Sequence, residues 1–124
     1  MIDWRNGSVI KLSACGIEEV MPDLAPALRP DETVFATFKA FRDYLAVTNT
    51  RLIAVNALGV TGKRKDYTSF PLREMYHMSV QTAGALDSDS VLEASLSNVD
   101  TVTFKFKGEV DMAGLLRLMA QNIL

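Results

Sequence analysis

Arg42-Asp43-Tyr44-Leu45-Ala46-Val47-Thr48-Asn49-Thr50-Arg51-Leu52-Ile53-Ala54-Val55-Asn56 consists of two runs of strand-forming residues around a short polar joint, Thr48–Arg51. Val, Ile, Leu and Tyr fit the pleated surface of a sheet. Asn49, within the joint, tolerates the left-handed backbone that tight hairpin turns use. The stretch is expected to be the hairpin around which the rest of the chain folds.

Working outward, Thr33–Ala40 reads as the preceding strand, with Val34, Phe35 and Phe38 among β-branched neighbours, and Asn56-Ala57-Leu58-Gly59 reads as the following turn. Arg64–Phe70 is the next strand, stopped by Pro71, which has no amide to donate into a ladder. Met75–Ala83 and Val91–Leu96 follow, separated by Gly84 and the Asp87-Ser88-Asp89-Ser90 cluster. In Thr101–Lys107, Val102, Phe104 and Phe106 alternate with Thr103, Lys105 and Lys107, so one face is expected to be buried. A helix then starts at a cap near Asp111 and gathers Met112, Leu115, Leu116, Met119 and Ile123 on one face. Upstream, Ile17, Val20, Met21, Leu24 and Leu28 keep helical spacing while Pro22 and Pro26 interrupt it, which predicts a kinked or two-part helix. Residues 1–15 are a mixed arm.

The expected class is α+β, mainly β: seven antiparallel strands bent into a sandwich or partly open barrel, an N-terminal helical segment and a C-terminal capping helix. A single domain spans 1–124, with 1–30 as arm and helical segment and 31–124 as core. The 124 residues are enough for one real core, and 48% hydrophobic with 23% charged residues is a globular composition.

A net charge of −2 supplies no global field for nucleic acid, so any anion site is local and no nucleic-acid partner is expected. Cys15 is the single cysteine, which excludes an intramolecular disulfide. There is no signal-like apolar segment near the N-terminus and no run of spanning length. A soluble, cytoplasmic protein is the expectation.

The order of seven strands and a capping helix, together with Arg42-Asp43, Thr48-Asn49-Thr50-Arg51-Leu52-Ile53, Gly59-Val60-Thr61-Gly62-Lys63, Tyr67, Pro71, Ser79-Val80-Gln81-Thr82-Ala83-Gly84, Asp87 and Asp89, resembles the bacterial pleckstrin-homology-like family. The resemblance covers about the middle half of the chain. It implies a non-enzymatic domain that assembles as homo-oligomeric rings.

Lys63-Arg64-Lys65 is the one basic cluster, set after a glycine-rich turn where amides and cations together suit a phosphate. The plain alternative is a solvated edge that discourages sheet-to-sheet aggregation. Lys39 and Arg42 are the cations at the joint where eukaryotic members of the superfamily hold phosphoinositides. Asp87, Asp89 and Glu93 fall short of a calcium loop, and His77 and Cys15 lack companions at ligand or catalytic spacing, so no metal, cofactor or catalytic residue is expected. The phenylalanines Phe35, Phe38, Phe41, Phe70, Phe104 and Phe106 read mostly as core. Trp4, Leu118 and Leu124 read either as a patch buried against another subunit or as surface covered within one chain. The leading expectation is a self-associating, ring-forming binding or scaffolding module. The alternative is a peripheral phospholipid- or phosphate-binding domain using Lys63, Arg64, Lys65, Lys39 and Arg42.

Overall fold

The computed structural model describes residues 11–84, 89–97, 99–108 and 110–122, with Val99 and Asp100 described by backbone alone. The central hairpin forms as its composition demands. Strands β3 (Asp43–Thr48) and β4 (Arg51–Leu58) pair antiparallel, with Tyr44 opposite Val55 and Val47 opposite Leu52. Asn49 holds the joint by a different means from the one expected. Among the described non-glycine residues the positive φ falls at Phe41, at 54°. The Asn49 side-chain oxygen accepts the Thr33 amide at 2.9 Å, and its own amide donates to the Thr33 carbonyl at 3.0 Å. The joint is thereby tied to the chain entering β2 (Val34–Ala40).

Asn56-Ala57-Leu58 is strand rather than turn. Asp43 Oδ1 accepts the Ala57 amide at 2.7 Å, which keeps β4 extended, and the chain reverses from Gly59, whose φ of 77° suits glycine.

The strands form two antiparallel sheets. The first runs in the order β1 (Ser13–Cys15), β2, β3, β4 and β5 (Arg64–Pro71); the second is β6 (Met75–Gln81), β7 (Ser90–Leu96) and β8 (Val99–Phe106). The strand beyond the expected seven is β1, in the N-terminal arm. Just before it, fully buried Leu12 bridges to β8: its amide donates to the Lys105 carbonyl at 3.0 Å and its carbonyl accepts the Lys107 amide at 2.7 Å. This segment links the sheets on one side. On the other, the corner Leu72–Glu74 turns β5 into β6, with the Leu72 amide donating to the Thr50 carbonyl at 2.9 Å.

Helix α1 (Ile17–Leu24) continues through Pro22 and tightens into a 3-10 turn at Ala25–Ala27, the two-part form the prolines predict. It explains why β3 and β4 read as near-continuous apolar runs. Leu45, Val47, Leu52 and Ala54 face the core between the sheets, whereas Tyr44, Ala46, Ile53 and Val55 pack with Val20 and Leu24 of α1 on the outer face. Helix α2 (Met112–Gln121) is capped by Asp111, whose Oδ1 accepts the Gly114 amide at 3.0 Å, and sends Met112, Leu115 and Met119 into the shared core. Phe38 and Phe106 meet at 4.7 Å between centroids, and Phe70 and Phe104 at 5.9 Å edge to face, joining the two sheets. Phe41 and Phe35 depart from the expected core placement: Phe41 is 82% exposed and Phe35 lies at the surface. Among the described residues no helix is long and apolar enough to cross a membrane.

Candidate functional site

Antiparallel pairing of β3 with β4 brings the two-residue turn Phe41-Arg42 and the loop 59–63 to one end of the first sheet. The positive φ at Phe41 is a strained backbone for a bulky aromatic, costing of order 1 kcal/mol, and its ring stands in solvent. The Arg42 guanidinium lies 5.8 Å from the Phe41 ring centroid. Its Nη1 donates to the Gly59 carbonyl at 2.9 Å and reaches the Val60 carbonyl at 3.5 Å. Arg42 therefore clamps the two loops together, and Val60 is fully exposed beside it.

Lys63 at the end of this loop and Arg64 at the start of β5 are exposed, while the Lys65 ammonium donates to the Gly62 carbonyl at 2.6 Å. Four of the five sequence-predicted cations, Arg42, Lys63, Arg64 and Lys65, thus share one loop end. Lys39 departs from them: its ammonium lies 3.7 Å from Glu19 of α1. The apolar half of this end, Phe41 and Val60, escaped the sequence reading. The positive φ that expels Phe41 has no signature in residue type.

The other predicted positions lie elsewhere. Leu118 is half-buried against the chain's own core, and Trp4, Leu124 and Asp87 lie outside the described residues. Asp89 pairs with Lys11 at 2.6 Å. Cys15 Sγ lies 3.5 Å from the Thr37 hydroxyl in the first sheet, whereas His77 is exposed on β6 opposite Ser95 in the second. Among the described residues, no three His, Cys, Asp or Glu side chains come together as metal ligands.

The opposite end is built on Glu32, a residue that no motif in the sequence singles out. Its side chain is completely buried. Glu32 Oε2 accepts from the Thr48 hydroxyl at 2.6 Å, the Thr50 hydroxyl at 2.9 Å and Arg51 Nε at 2.8 Å, and Oε1 accepts from Arg51 Nη2 at 2.8 Å and the Arg29 amide at 3.1 Å. Arg51 Nη2 also donates to the Ala27 carbonyl. The Arg51 guanidinium, helped by these hydroxyl and amide donors against the cost of burial, holds the Glu32 carboxyl down at about 2 from 4.5, and Glu32 in turn raises Arg51. Burial pushes the Tyr44 phenol well above its ordinary value, assisted by Tyr67 and Asp23. These perturbed groups sit inside the fold's own contacts.

Two antiparallel sheets closed by a C-terminal helix, with a cationic loop end beside the first hairpin, define a pleckstrin-homology-type domain. The chain belongs to the bacterial PH domain family, whose model matches residues 3–123. It is 34% identical over 121 residues to the uncharacterized protein YjqA of Bacillus subtilis (strain 168), covering 96% of this chain and 94% of that protein. Among solved structures, it superposes with a TM-score of 0.77 and 30% identity on a DUF1696 family protein with a pleckstrin-homology domain from Shewanella loihica PV-4, covering 92% of this chain and 98% of that one. A pleckstrin homology domain from Shewanella amazonensis SB2B matches with a TM-score of 0.64 and 30% identity, over 89% and 90% of the two chains.

Proposed function

We propose that this chain is a non-catalytic docking module that places its loop end on an anionic phospholipid surface. The observation that carries the reading is the exposure of Phe41 and Val60 on two loops that Arg42 joins, with Lys63 and Arg64 exposed next to them in the chain. Apolar tips entering the headgroup boundary with cations at phosphate level are the physical recipe for peripheral attachment. Each cation near such a surface contributes about 1 kcal/mol, so neutralising Lys63 and Arg64 together weakens attachment by about thirtyfold. The non-catalytic part of the reading is supported by family membership and by the engagement of Glu32 and Arg51 in holding the fold.

Co-sedimentation with vesicles tests it. Retention on phosphatidylcholine–phosphatidylglycerol vesicles at low salt, falling with added salt and lost in Phe41→Ser/Val60→Ser, is the expected result. Absence of binding at low salt overturns it.

Self-association into a ring is the second reading, favoured by strand β6. Among the described residues it is the end strand of its sheet, hydrogen-bonded to β7, and Met75–Gln81 contains no Lys, Arg, Asp, Glu or Pro to blunt its outer edge. Tyr76 stands 75% exposed there. Light scattering across concentration distinguishes the outcomes: a discrete oligomer dissociated by Tyr76→Lys supports this reading, and a monomer throughout removes it.

A further inference from the structure

At the end of the first sheet opposite the cationic loops, the Thr48–Arg51 joint, the Leu72–Glu74 corner and the end of α2 border an open cleft of about 600 Å³. That volume lies within the range of small-molecule sites, roughly 300–1,000 Å³. Arg29, Arg51 and Arg73 all line it, together with Thr50 and Asn122.

The three arginines are not equivalent. Arg51 forms part of the wall, its charge met by buried Glu32 and its guanidinium held by the Ala27 carbonyl. The Arg29 guanidinium touches Asp31 at 3.3 Å, but both side chains are mostly exposed, and such a pair is weak and readily exchanged for a better anion. Arg73 is exposed and has no hydrogen-bond or ion-pair partner among the described residues. Two features limit repulsion of an anion here. Both Glu32 oxygens are saturated by donors. At the C-terminal end of α2, Asn122 covers two carbonyls: its amide donates to Met119 O and its side chain to Leu118 O at 2.7 Å.

We propose that this cleft binds the phosphate group of a small molecule between Arg29 and Arg73. Guanidinium forks match phosphate oxygens in pairs, and two of them lining one cleft offer a dianion two charged partners. The site is separate from the lipid-facing end and uses none of its residues.

Calorimetric titration at low salt with inorganic phosphate, then pyrophosphate, tests the proposal. Saturable binding of one phosphate per chain is expected, weakened about tenfold or more by Arg73→Ala and by Arg29→Ala and unchanged in Lys63→Ser/Arg64→Ser. The two arginines are at the surface, so unchanged melting temperatures for their variants are expected. A phosphatidic acid vesicle arm separates a soluble phosphate from a lipid headgroup: vesicle binding is expected to be indifferent to Arg73→Ala. No saturable phosphate binding, binding insensitive to both arginine variants, or an Arg73→Ala effect confined to vesicles overturns the proposal.

Discussion

Replacing Glu32 with Gln keeps the side chain's shape and removes its charge at the point where the N-terminal segment meets the central hairpin. Glu32 accepts from two threonine hydroxyls, two Arg51 nitrogens and the Arg29 amide, and its carboxyl is held at about 2 against 4.5. At about 1.4 kcal/mol per pKa unit, that depression corresponds to about 3 kcal/mol of native-state stabilisation at neutral pH. Removing one partner of a buried pair costs about 3–5 kcal/mol, so two separate routes reach a similar magnitude. Because the folded-state pKa is the lower one, the contribution is complete above the unfolded value near 4.5 and is lost as pH falls toward 2. Urea unfolding of the wild type and Glu32→Gln, compared at neutral pH and through the acid range, gives the difference directly. The expected gap is about 3 kcal/mol at neutral pH, shrinking as the carboxyl titrates. A gap below about 1 kcal/mol, or one independent of pH, would refute the reading that the ionised Glu32 ties the N-terminal segment to the hairpin.

Two further substitutions probe the elements that frame the sites. Leu24→Ala empties a fully buried position between α1 and the outer face of β3 and β4, with an expected cost of about 3 kcal/mol in urea unfolding, as for a core leucine. Gly62→Ala places a Cβ 3.0 Å from Arg42 Nη1 on a backbone with φ of 70°, so a loss of about 1 kcal/mol, read as a lower melting temperature, is expected together with weaker vesicle retention as the Arg42 clamp is displaced.

The parts of the fold legible in the sequence are those whose pattern is local. The apolar runs of β3 and β4, the Val102, Phe104 and Phe106 alternation of β8, and the Asp111 cap all follow from nearest neighbours, and the structure places each as expected. Strand β1 was not legible, because Ser13-Ala14-Cys15 has no alternation and is held by pairing with β2. Glu32 was equally hidden: its side-chain partners at Thr48, Thr50 and Arg51 lie 16 to 19 positions along the chain. The loop end was half legible. Arg42 and Lys63–Lys65 announce themselves by charge, whereas Phe41 counts as core by residue type, and a φ of 54° in a two-residue turn is what puts it outside. The cleft of Arg29 and Arg73 is assembled from separate segments and left no local motif to find.

Attachment of the proposed kind requires Phe41 to enter the headgroup boundary. The most direct measurement places a single tryptophan there, Phe41→Trp in a Trp4→Phe background, and follows its emission with phosphatidylglycerol-containing vesicles carrying brominated acyl chains. A blue shift and quenching at low salt, both reversed by salt and absent with phosphatidylcholine alone, are the expected result. Emission that keeps its solvent-exposed maximum and escapes quenching in every mixture would contradict it.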